Sequence, residues 1–332
     1  MKRFSSLLLI ILLAASLFSL VSCDGTLSAE ESTEYLSFKL LSDGTYSVKS
    51  RNVKETPAKI TIPEAYGGKP VTHIDALAFA HCTTLTKIVL PSSITSIGDS
   101  AFLACVNLED IVIPENVASI GVEAFSNCKS ITNISIPKNL TVIEKGVFFN
   151  CTNLSSISIE GEISSIGKLA FYNCQKLKSI RIPESVKHIG AAAFYQCYSL
   201  TEVAIPDGVT EIEGGTFNNC INLKIIQMPD SITKIGDNSF NYCYNLTNLV
   251  LPKNLTYIGE YAFAECTSLY AITIPKGVSY IGKYAFYRCH DLTDVYYAGS
   301  EADWLNIDID YCEYGNDWLI NTHKHYNYTP QE

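Results

Sequence analysis

Hydrophobic residues recur along most of the 332-residue chain with a fixed step of 23 positions. The step is kept by ten isoleucines, from Ile74 to Ile281, and by eleven of the twelve cysteines, from Cys82 to Cys312. It is also kept by ten phenylalanines, which are Phe79, Phe102, Phe125, Phe148, Phe171, Phe194, Phe217, Phe240, Phe263 and Phe286. Such a period is typical of a solenoid, in which each repeat forms one coil and stacked coils bury a continuous core. A solenoid offers a long surface, so the pattern favours binding over catalysis.

Each repeat orders its apolar and polar positions as L-x-x-I-x-I-P-x-x-V-x-x-I-G-x-x-A-F-x-x-C-x-x. Ile88 and Leu90 stand two positions apart, so both are expected to point to one side of a short strand. Pro91 is expected to end that strand because proline has no N–H for the ladder. Ile97 is expected to turn inward on the return side, and Gly98 predicts a tight turn or a positive φ.

This repeat resembles the BspA-like (treponemal-type) leucine-rich repeats of bacterial surface antigens over roughly residues 60–297. The resemblance implies a leucine-rich repeat solenoid with 23-residue, β-rich coils and short parallel strands. It also implies adhesion, either to host matrix proteins or to other bacteria. We therefore assign residues 59–297 to an array of about ten repeats.

Both ends of the array resemble the terminal repeats of the same family. The first repeat carries five inserted residues after Pro63, and the stretch that contains Trp304 is similar to the usual family ending. Residues 298–332 are therefore expected to form a degenerate eleventh coil that caps the array. In this alignment Trp304 takes the isoleucine position, Ile309 the phenylalanine position and Cys312 the cysteine position.

The N-terminus predicts export. Lys2 and Arg3 precede a nearly uninterrupted apolar run over residues 7–20. This run is too short for a comfortable membrane span, which needs about 20 residues. Residues 1–22 are therefore expected to be a lipoprotein signal peptide.

The apolar run ends in Leu20-Val21-Ser22-Cys23, which resembles the lipobox of bacterial lipoproteins. That resemblance implies that Cys23 becomes the acylated first residue of a membrane-anchored lipoprotein at the cell surface. Two or more acyl chains give stable anchoring. The alternative is an ordinary signal peptide with a chance cysteine. Residues 23–34 are polar and acidic after the cysteine, which predicts a flexible tether.

Residues 35–58 precede the regular repeats. Two alternating runs flank Asp43 and Gly44, which is the pattern of a β-hairpin. A terminal repeat would otherwise expose its apolar face, so this hairpin is expected to act as the N-terminal cap.

Composition and motifs narrow the class of function. Hydrophobic residues make up 47% of the chain and charged residues 17%, the opposite of a disordered chain. The net charge of -10 argues against nucleic acid, where neutralising phosphate supplies most of the affinity. The sequence contains no nucleophile motif, no nucleotide-binding loop and no C-x-x-C pair, so neither enzyme activity nor a cofactor is predicted. The pair His323 and His325 is too few ligands for a zinc site, and no metal site is predicted.

The cysteine ladder has two interpretations. Export permits disulfides, and equivalent cysteines on stacked coils would be neighbours. Equivalent side chains point the same way, however, whereas a disulfide needs two Cβ atoms that face each other about 3.8 Å apart. We therefore expect free, buried thiols that act as small hydrophobic residues.

Ten of the twenty tyrosines lie between residues 242 and 297, outside the invariant core positions, so most are expected to be partly exposed. Tyrosine is favoured at interfaces because its ring buries a large area while its hydroxyl still finds partners. The candidate ligand-binding residues are Tyr242, Tyr244, Tyr257, Tyr261, Tyr280, Tyr284 and Tyr287. A secondary set stands on three successive coils and comprises Phe149, Tyr172 and Tyr195. Two alternatives remain: stacked rings stabilise the array, or duplication copied them.

These patterns leave several functions open. The first is protein binding or adhesion at a cell surface, with the membrane contacted through the lipid anchor. The second is capture of glycans by exposed aromatic residues, and the third is a structural spacer in the envelope. The outward strand positions, such as Ser135 and Ser158, form a mild face against which a partner could also lie.

Overall fold

The computed structural model describes residues 24–310 and 315–329, which form a β-solenoid with short parallel strands and little helix. Each regular coil spans 23 residues and places its strands on two faces, which we call the front face and the back face. The predicted leucine-rich repeat architecture is confirmed. The predicted signal peptide, the lipidated Cys23 and the assignment of Cys312 lie outside the described residues. Within the described part of the chain, no helix has both the length and the apolar character needed to traverse a bilayer.

The front face contains the strands predicted around Ile88 and Leu90. Neighbouring coils pair in parallel, one repeat apart, as where Ile134 lies beside Ile157. The front-face strands are Lys59–Thr61, Lys87–Val89, Asp110–Ile111, Asn133–Ile136, Ser156–Ile159, Glu202–Ala204, Ile225–Gln227, Asn248–Val250, Ala271–Ile274, Asp294–Tyr297 and His323–His325.

The back face contains the return strands, which end at the repeated isoleucine. They also pair in parallel, as where Ile97 lies beside Ile120. The back-face strands are Lys69–Ile74, Ser96–Ile97, Ser119–Ile120, Val142–Ile143, Ser165–Ile166, His188–Ile189, Glu211–Ile212, Lys234–Ile235, Tyr257–Ile258, Tyr280–Ile281 and Asp308–Ile309.

The ten repeated phenylalanines form one stack through the centre of the solenoid. Each side chain is 0% exposed. Successive rings are nearly parallel, and their centroids lie 5.2–5.8 Å apart. The repeat places one large plug in each coil at the same depth, so the core continues from coil to coil.

The cysteine ladder is a row of buried thiols beside this stack. The ten described repeat cysteines are free and buried, which confirms the structural interpretation for them. From Cys105 to Cys289, each Sγ donates to the carbonyl of the core phenylalanine one coil earlier, over 3.0–3.3 Å. The thiol therefore fills space and also partners a backbone carbonyl.

These thiols are expected to resist alkylation in the folded chain. Burial raises their pKa, for Cys151 to about 12, and the thiolate is the reactive form. Iodoacetamide should label the ten described repeat cysteines at least about a hundredfold more slowly in the native protein than in urea. Peptide mass spectrometry over a time course measures both rates. Labelling of Cys174 at its unfolded rate in the native protein would contradict the buried ladder.

A glycine follows most back-face strands, and at Gly98 the predicted tight turn is present, because the N–H of Ala101 donates to its carbonyl at 3.2 Å. Gly98 does not adopt a positive φ; an added Cβ would lie 2.5 Å from the backbone nitrogen of Ala76 in the preceding coil. Gly190 meets the backbone nitrogen of Lys168 at the same distance. The residue is therefore small because stacked coils approach closely at this point.

The prediction of a flexible acidic tether is wrong for residues 24–34, which dock on the first coil. Ser28 and Glu31 form a capping box at the start of the short helix Ala29–Ser32, and a 3-10 turn follows over Thr33–Tyr35. The Oγ of Ser32, which is fully buried, accepts from the backbone N–H of Thr61. The S-x-x-E pattern of Ser28 and Glu31 is a start signal for a helix. The polar composition of the stretch led instead to the prediction of a tether.

The predicted hairpin is present and covers the first coil. Its strands Leu36–Leu40 and Tyr46–Ser50 pair antiparallel, and the second strand continues the back face by pairing with Lys69–Ile74. Leu36 and Val48 point into the core and are fully buried. The insertion after Pro63 forms a second, smaller hairpin within the first repeat.

The last coil has a different register from the one predicted. Ile309 pairs with Ile281, so it takes the isoleucine position, and the proposed phenylalanine position for it is wrong. Trp304 does not take the isoleucine position either, because it lies in the inserted helix Glu301–Trp304 and packs against Tyr297. The insertion lengthens this coil to 28 residues from Ile281 to Ile309. A further short helix, Asp317–Ile320, precedes the last front-face strand.

Candidate functional site: an aromatic surface near the C-terminal end

The solenoid has a turn edge, where the chain passes from the back-face strand to the core phenylalanine and beyond it. Two positions of each regular coil adopt a positive φ along this edge. Tyr261 and Tyr284 occupy the first position in adjacent coils, with φ of 54° and 56°, and Tyr242 occupies the second, with φ of 61°. The repeat therefore displays these three tyrosines on the same edge of the molecule.

Ring contacts join these tyrosines into two groups, and a small pocket lined by Tyr242, Tyr261 and Tyr287 lies between the groups. Tyr261 stacks on Tyr284 with 4.8 Å between ring centroids, and Tyr284 meets Tyr287 edge-on at 5.5 Å. Tyr242 and Tyr244 form another edge-on pair at 6.0 Å and are 36% and 39% exposed.

Trp318 extends this set from the C-terminal cap, because its ring meets Tyr287 edge-on at 5.8 Å. The aromatic surface is hereafter this set, Tyr242, Tyr244, Tyr261, Tyr284, Tyr287 and Trp318.

Trp318 was missed by the sequence analysis. It stands in the cap, where the repeat register no longer applies, so its distance from the tyrosines was not predictable. His290 lies on its other side, with 5.3 Å between the two ring centroids. The available signal was that Trp318 is one of only two tryptophans in the chain.

The remaining two candidate tyrosines lie on a different element. Tyr257 and Tyr280 belong to back-face strands and stack on each other with 4.9 Å between centroids. Lys234 lies 5.6 Å from the centroid of the Tyr257 ring, and the Tyr280 hydroxyl donates to Asp310 at 3.4 Å. Burial, and then the neighbouring Asp310, raises the pKa of Tyr280. The seven candidates therefore divide into five on the turn edge and two on the back face.

The secondary set also lies on the turn edge. Phe149 stacks on Tyr172, and Tyr172 on Tyr195, each with 4.8 Å between centroids. All three are half-buried. Their position in the repeat is that of Tyr287, and the three coils between carry small or polar residues there, Asn218, Asn241 and Ala264. The edge thus carries two aromatic groups with a polar interval.

The charges around the aromatic surface largely offset one another. Arg288 pairs with Glu265 at 2.9 Å, and its guanidinium lies 5.1 Å from the centroid of Tyr287. Burial, and then the nearby Glu265 and Tyr242, raises the pKa of Tyr244. Its hydroxyl, like that of an ordinary tyrosine, is neutral at physiological pH. The surface is therefore suited to neutral contacts through ring faces and hydroxyl groups.

The front face carries a mainly apolar cavity that was not predicted. Its volume is about 670 Å³, and Met228, Val250, Pro252 and Tyr328 are among its lining residues. It lies where the front-face ladder is interrupted, since the strands Ile225–Gln227 and Asn248–Val250 belong to separate sheets. The signal was an apolar residue in an outward strand column, and Val250 is 57% exposed.

The described residues contain no group of three or more His, Cys, Asp or Glu side chains arranged to hold a metal ion. His325 instead lies 2.7 Å from Asp294, measured from Nε2 to Oδ1, and the imidazole is the main cause of the lowered pKa of that carboxyl. This histidine thereby links the last front-face strand to the preceding coil.

Comparison with protein families matches residues 72–201 and 187–304 to the BspA type leucine rich repeat region, in six copies. Among solved structures, the chain is similar to a leucine rich cell surface protein from Faecalibacterium prausnitzii A2-165. The identity is 24%, the match covers 84% of this chain and 97% of that chain, and the TM-score is 0.45. No curated protein matches the chain.

Two further solved structures are similar. A leucine rich repeat protein from T. pallidum has 27% identity, with 64% of this chain and 88% of that chain covered and a TM-score of 0.46. A leucine-rich repeat protein from Bacteroides ovatus ATCC 8483 has 24% identity, with 79% and 93% covered and a TM-score of 0.46.

Proposed function

The chain belongs to the BspA-type leucine-rich repeat family, and on that premise we propose that it is an exported, lipid-anchored surface protein that binds another macromolecule. Its role is adhesion, to host matrix proteins or to other bacteria, and the aromatic surface makes the contact. Proteins of this family are typically binding scaffolds rather than enzymes. The observation that carries the proposal is the aromatic surface itself, in which rings from successive coils and the cap lie together and partly exposed.

The backbone does not require tyrosine at this position of the turn edge. Leu77, Ser100 and Ala192 adopt the same positive φ in other coils. The fold therefore tolerates apolar, polar and small side chains here, and the occurrence of tyrosine in two adjacent coils supports the proposal that Tyr261 and Tyr284 contact a partner.

The docked N-terminus holds the first coil close to the proposed anchor. Asp24 forms an ion pair with Lys87 over 3.0 Å, and Leu27 donates a backbone hydrogen bond to Lys59. If Cys23 is acylated, as proposed, the first coil follows the anchor directly without a flexible spacer. The aromatic surface lies at the other end of the array, near the C-terminal cap, and is therefore far from the proposed anchor along the solenoid.

Binding of residues 24–332 to panels of matrix proteins and intact bacteria tests the proposal. A double variant, Tyr261→Ala with Tyr284→Ala, is expected to bind the ligand at least about tenfold more weakly, because interface tyrosines commonly contribute about 1–2 kcal/mol or more to the binding free energy. The measurement is the dissociation constant by biolayer interferometry, with folding checked by circular dichroism.

The back-face pair provides a matched control. Tyr257→Ala with Tyr280→Ala also removes two stacked, half-buried tyrosines, but from another face. It should leave binding within about twofold of the parent protein, since surface changes outside an interface have little effect. Equal losses in the two double variants would refute the aromatic surface as the contact site. A folded protein without any ligand in either panel would favour the spacer role instead.

A further inference from the structure

A small pocket opens within the aromatic surface, where three successive coils meet. Tyr242, Tyr261 and Tyr287 line it, one from each coil, and its volume is about 270 Å³. Asn238 and Asn241, from the first of these coils, line it as well. Pockets for drug-sized ligands have about 300–1,000 Å³. The volume therefore suits a single ring-sized group.

The amide of Asn241 contains a buried, unpartnered acceptor at the wall of this pocket. The side chain is only 8% exposed, and its Nδ2 donates to Asn238 Oδ1 at 3.2 Å. Within residues 24–310 and 315–329, no donor pairs with its Oδ1. Leaving a buried acceptor unpaired is costly, so its retention points to a ligand that supplies an O–H or N–H.

The unpaired acceptor is particular to this pocket and does not follow from the repeat position. Asn218 stands in the same position one coil earlier and is also 8% exposed. Its Oδ1, however, accepts from Asn219 Nδ2 at 3.0 Å. The chain thus contains a matched asparagine whose acceptor is already satisfied.

The pocket also offers a ring face and little net charge. Tyr284, in the next coil, covers one face of Tyr261, so the other face is directed toward the coil of Asn238. Glu265 lines the pocket but is paired with Arg288 at 2.9 Å. A neutral ligand therefore fits these walls better than an anion or a cation.

We propose that this pocket binds one neutral pyranose of a glycan. The C–H face of the sugar lies against the tyrosine rings, whose faces carry negative potential. The Asn241 amide rotates so that its Oδ1 accepts from a sugar hydroxyl, and further hydroxyls reach the amide of Asn238 and the tyrosine hydroxyls. An aromatic side chain of a partner would fill the same volume but supplies at most one polar group to these polar walls. The inference rests on the proposed function, because it places the glycan of a surface partner in the same aromatic surface.

Titration with simple glycosides tests the pocket without any macromolecular partner. The probes are the methyl glycosides of glucose, galactose, mannose and N-acetylglucosamine, and N-acetyltyrosinamide represents a protein side chain. Saturation-transfer NMR on residues 24–332 should detect at least one glycoside with a Kd on the order of 1 mM, as expected for a ligand of this size. Asn241→Ala should raise the Kd for that glycoside at least about tenfold, whereas Asn218→Ala should leave the Kd within about twofold of the parent value.

A stability measurement accompanies the titration. Asn241→Ala removes an unsatisfied polar atom, so its urea midpoint should equal or exceed that of the parent protein, whereas a merely structural asparagine would lower it. The proposal is overturned if no glycoside binds at about 10 mM, if both asparagine variants weaken binding equally, or if only N-acetyltyrosinamide binds. If a macromolecular ligand is found in the adhesion panels but no glycoside binds, the pocket proposal is overturned and the adhesion proposal stands. Glycoside binding without a macromolecular ligand would keep the pocket and refute adhesion.

Discussion

Replacing Phe171 with alanine is expected to lower the free energy of unfolding by about 3–5 kcal/mol. The side chain is 0% exposed, and its ring stacks on Phe148 at 5.5 Å and on Phe194 at 5.4 Å between centroids. Alanine leaves a cavity in mid-array that neighbouring coils fill poorly, because the rings on both sides are held by their own coils. Each repeat depends on its neighbours, so the loss also separates the array into two weakly coupled parts.

Urea unfolding followed by circular dichroism measures this loss, and a broader transition should accompany it. Tyr172→Ala is the matched control, since its ring also stacks on both sides, at 4.8 Å, but lies half-buried on the turn edge. Its expected cost is about 1–2 kcal/mol. If the two variants lose equal stability, the buried phenylalanine stack contributes no more than the half-buried stack on the turn edge, and the prediction is wrong.

Replacing Asn316 with alanine is expected to lower the free energy of unfolding by about 2–4 kcal/mol, since the buried N–H of Phe286 loses its acceptor and the carbonyl of Gly282 loses one of its two donors. In the interior, the N–H of Phe263 donates to the carbonyl of Ala285 in the next coil, at 2.8 Å. In the last regular coil, the side chain of Asn316 takes over this task. Its Oδ1 accepts from the N–H of Phe286 at 3.2 Å, and its Nδ2 donates to the carbonyl of Gly282 at 3.0 Å.

The Asn316 side chain is only 2% exposed, so water cannot easily replace it. Hydrogen exchange should show the loss first at the amide of Phe286, before interior coils respond. Asn306→Ala is the control, because that exposed amide donates to the carbonyl of Ala302, and its cost should stay below about 0.5 kcal/mol. Unchanged protection of the Phe286 amide would show that another group closes the array.

The regular coils were predictable from the sequence because their physics is local and repeated. Phe125 and Ile120 meet the same neighbours as their equivalents one coil away, so one pattern assigns burial to all of them. The same argument predicted free thiols, since equivalent Cβ atoms on stacked coils point alike. Polar composition was a weaker guide, and it concealed the docking of residues 24–34, which depends on hydrogen bonds to Thr61 and Lys59.

The candidate site was predictable only in part. Tyrosines outside the core positions were expected to be exposed, and Tyr242 and Tyr244 are. Sequence distance alone did not separate Tyr257 from Tyr261, although they lie only four residues apart. The first belongs to a back-face strand and the second to the turn edge, because the chain changes direction at Gly259.

By itself, then, the sequence determined the solenoid, its period, its core and its capped N-terminus, because each follows from a pattern that recurs or from a local turn signal. Tertiary structure alone decided the register of the last coil, where the helix Glu301–Trp304 carries Trp304 out of the repeat. It also decided that Trp318 joins the tyrosines and that Asn241, unlike Asn218, has an acceptor with no partner among the residues that the structure describes. The physical reason is the same in each case: these contacts lie outside the repeated core, where no periodic neighbour specifies the partner.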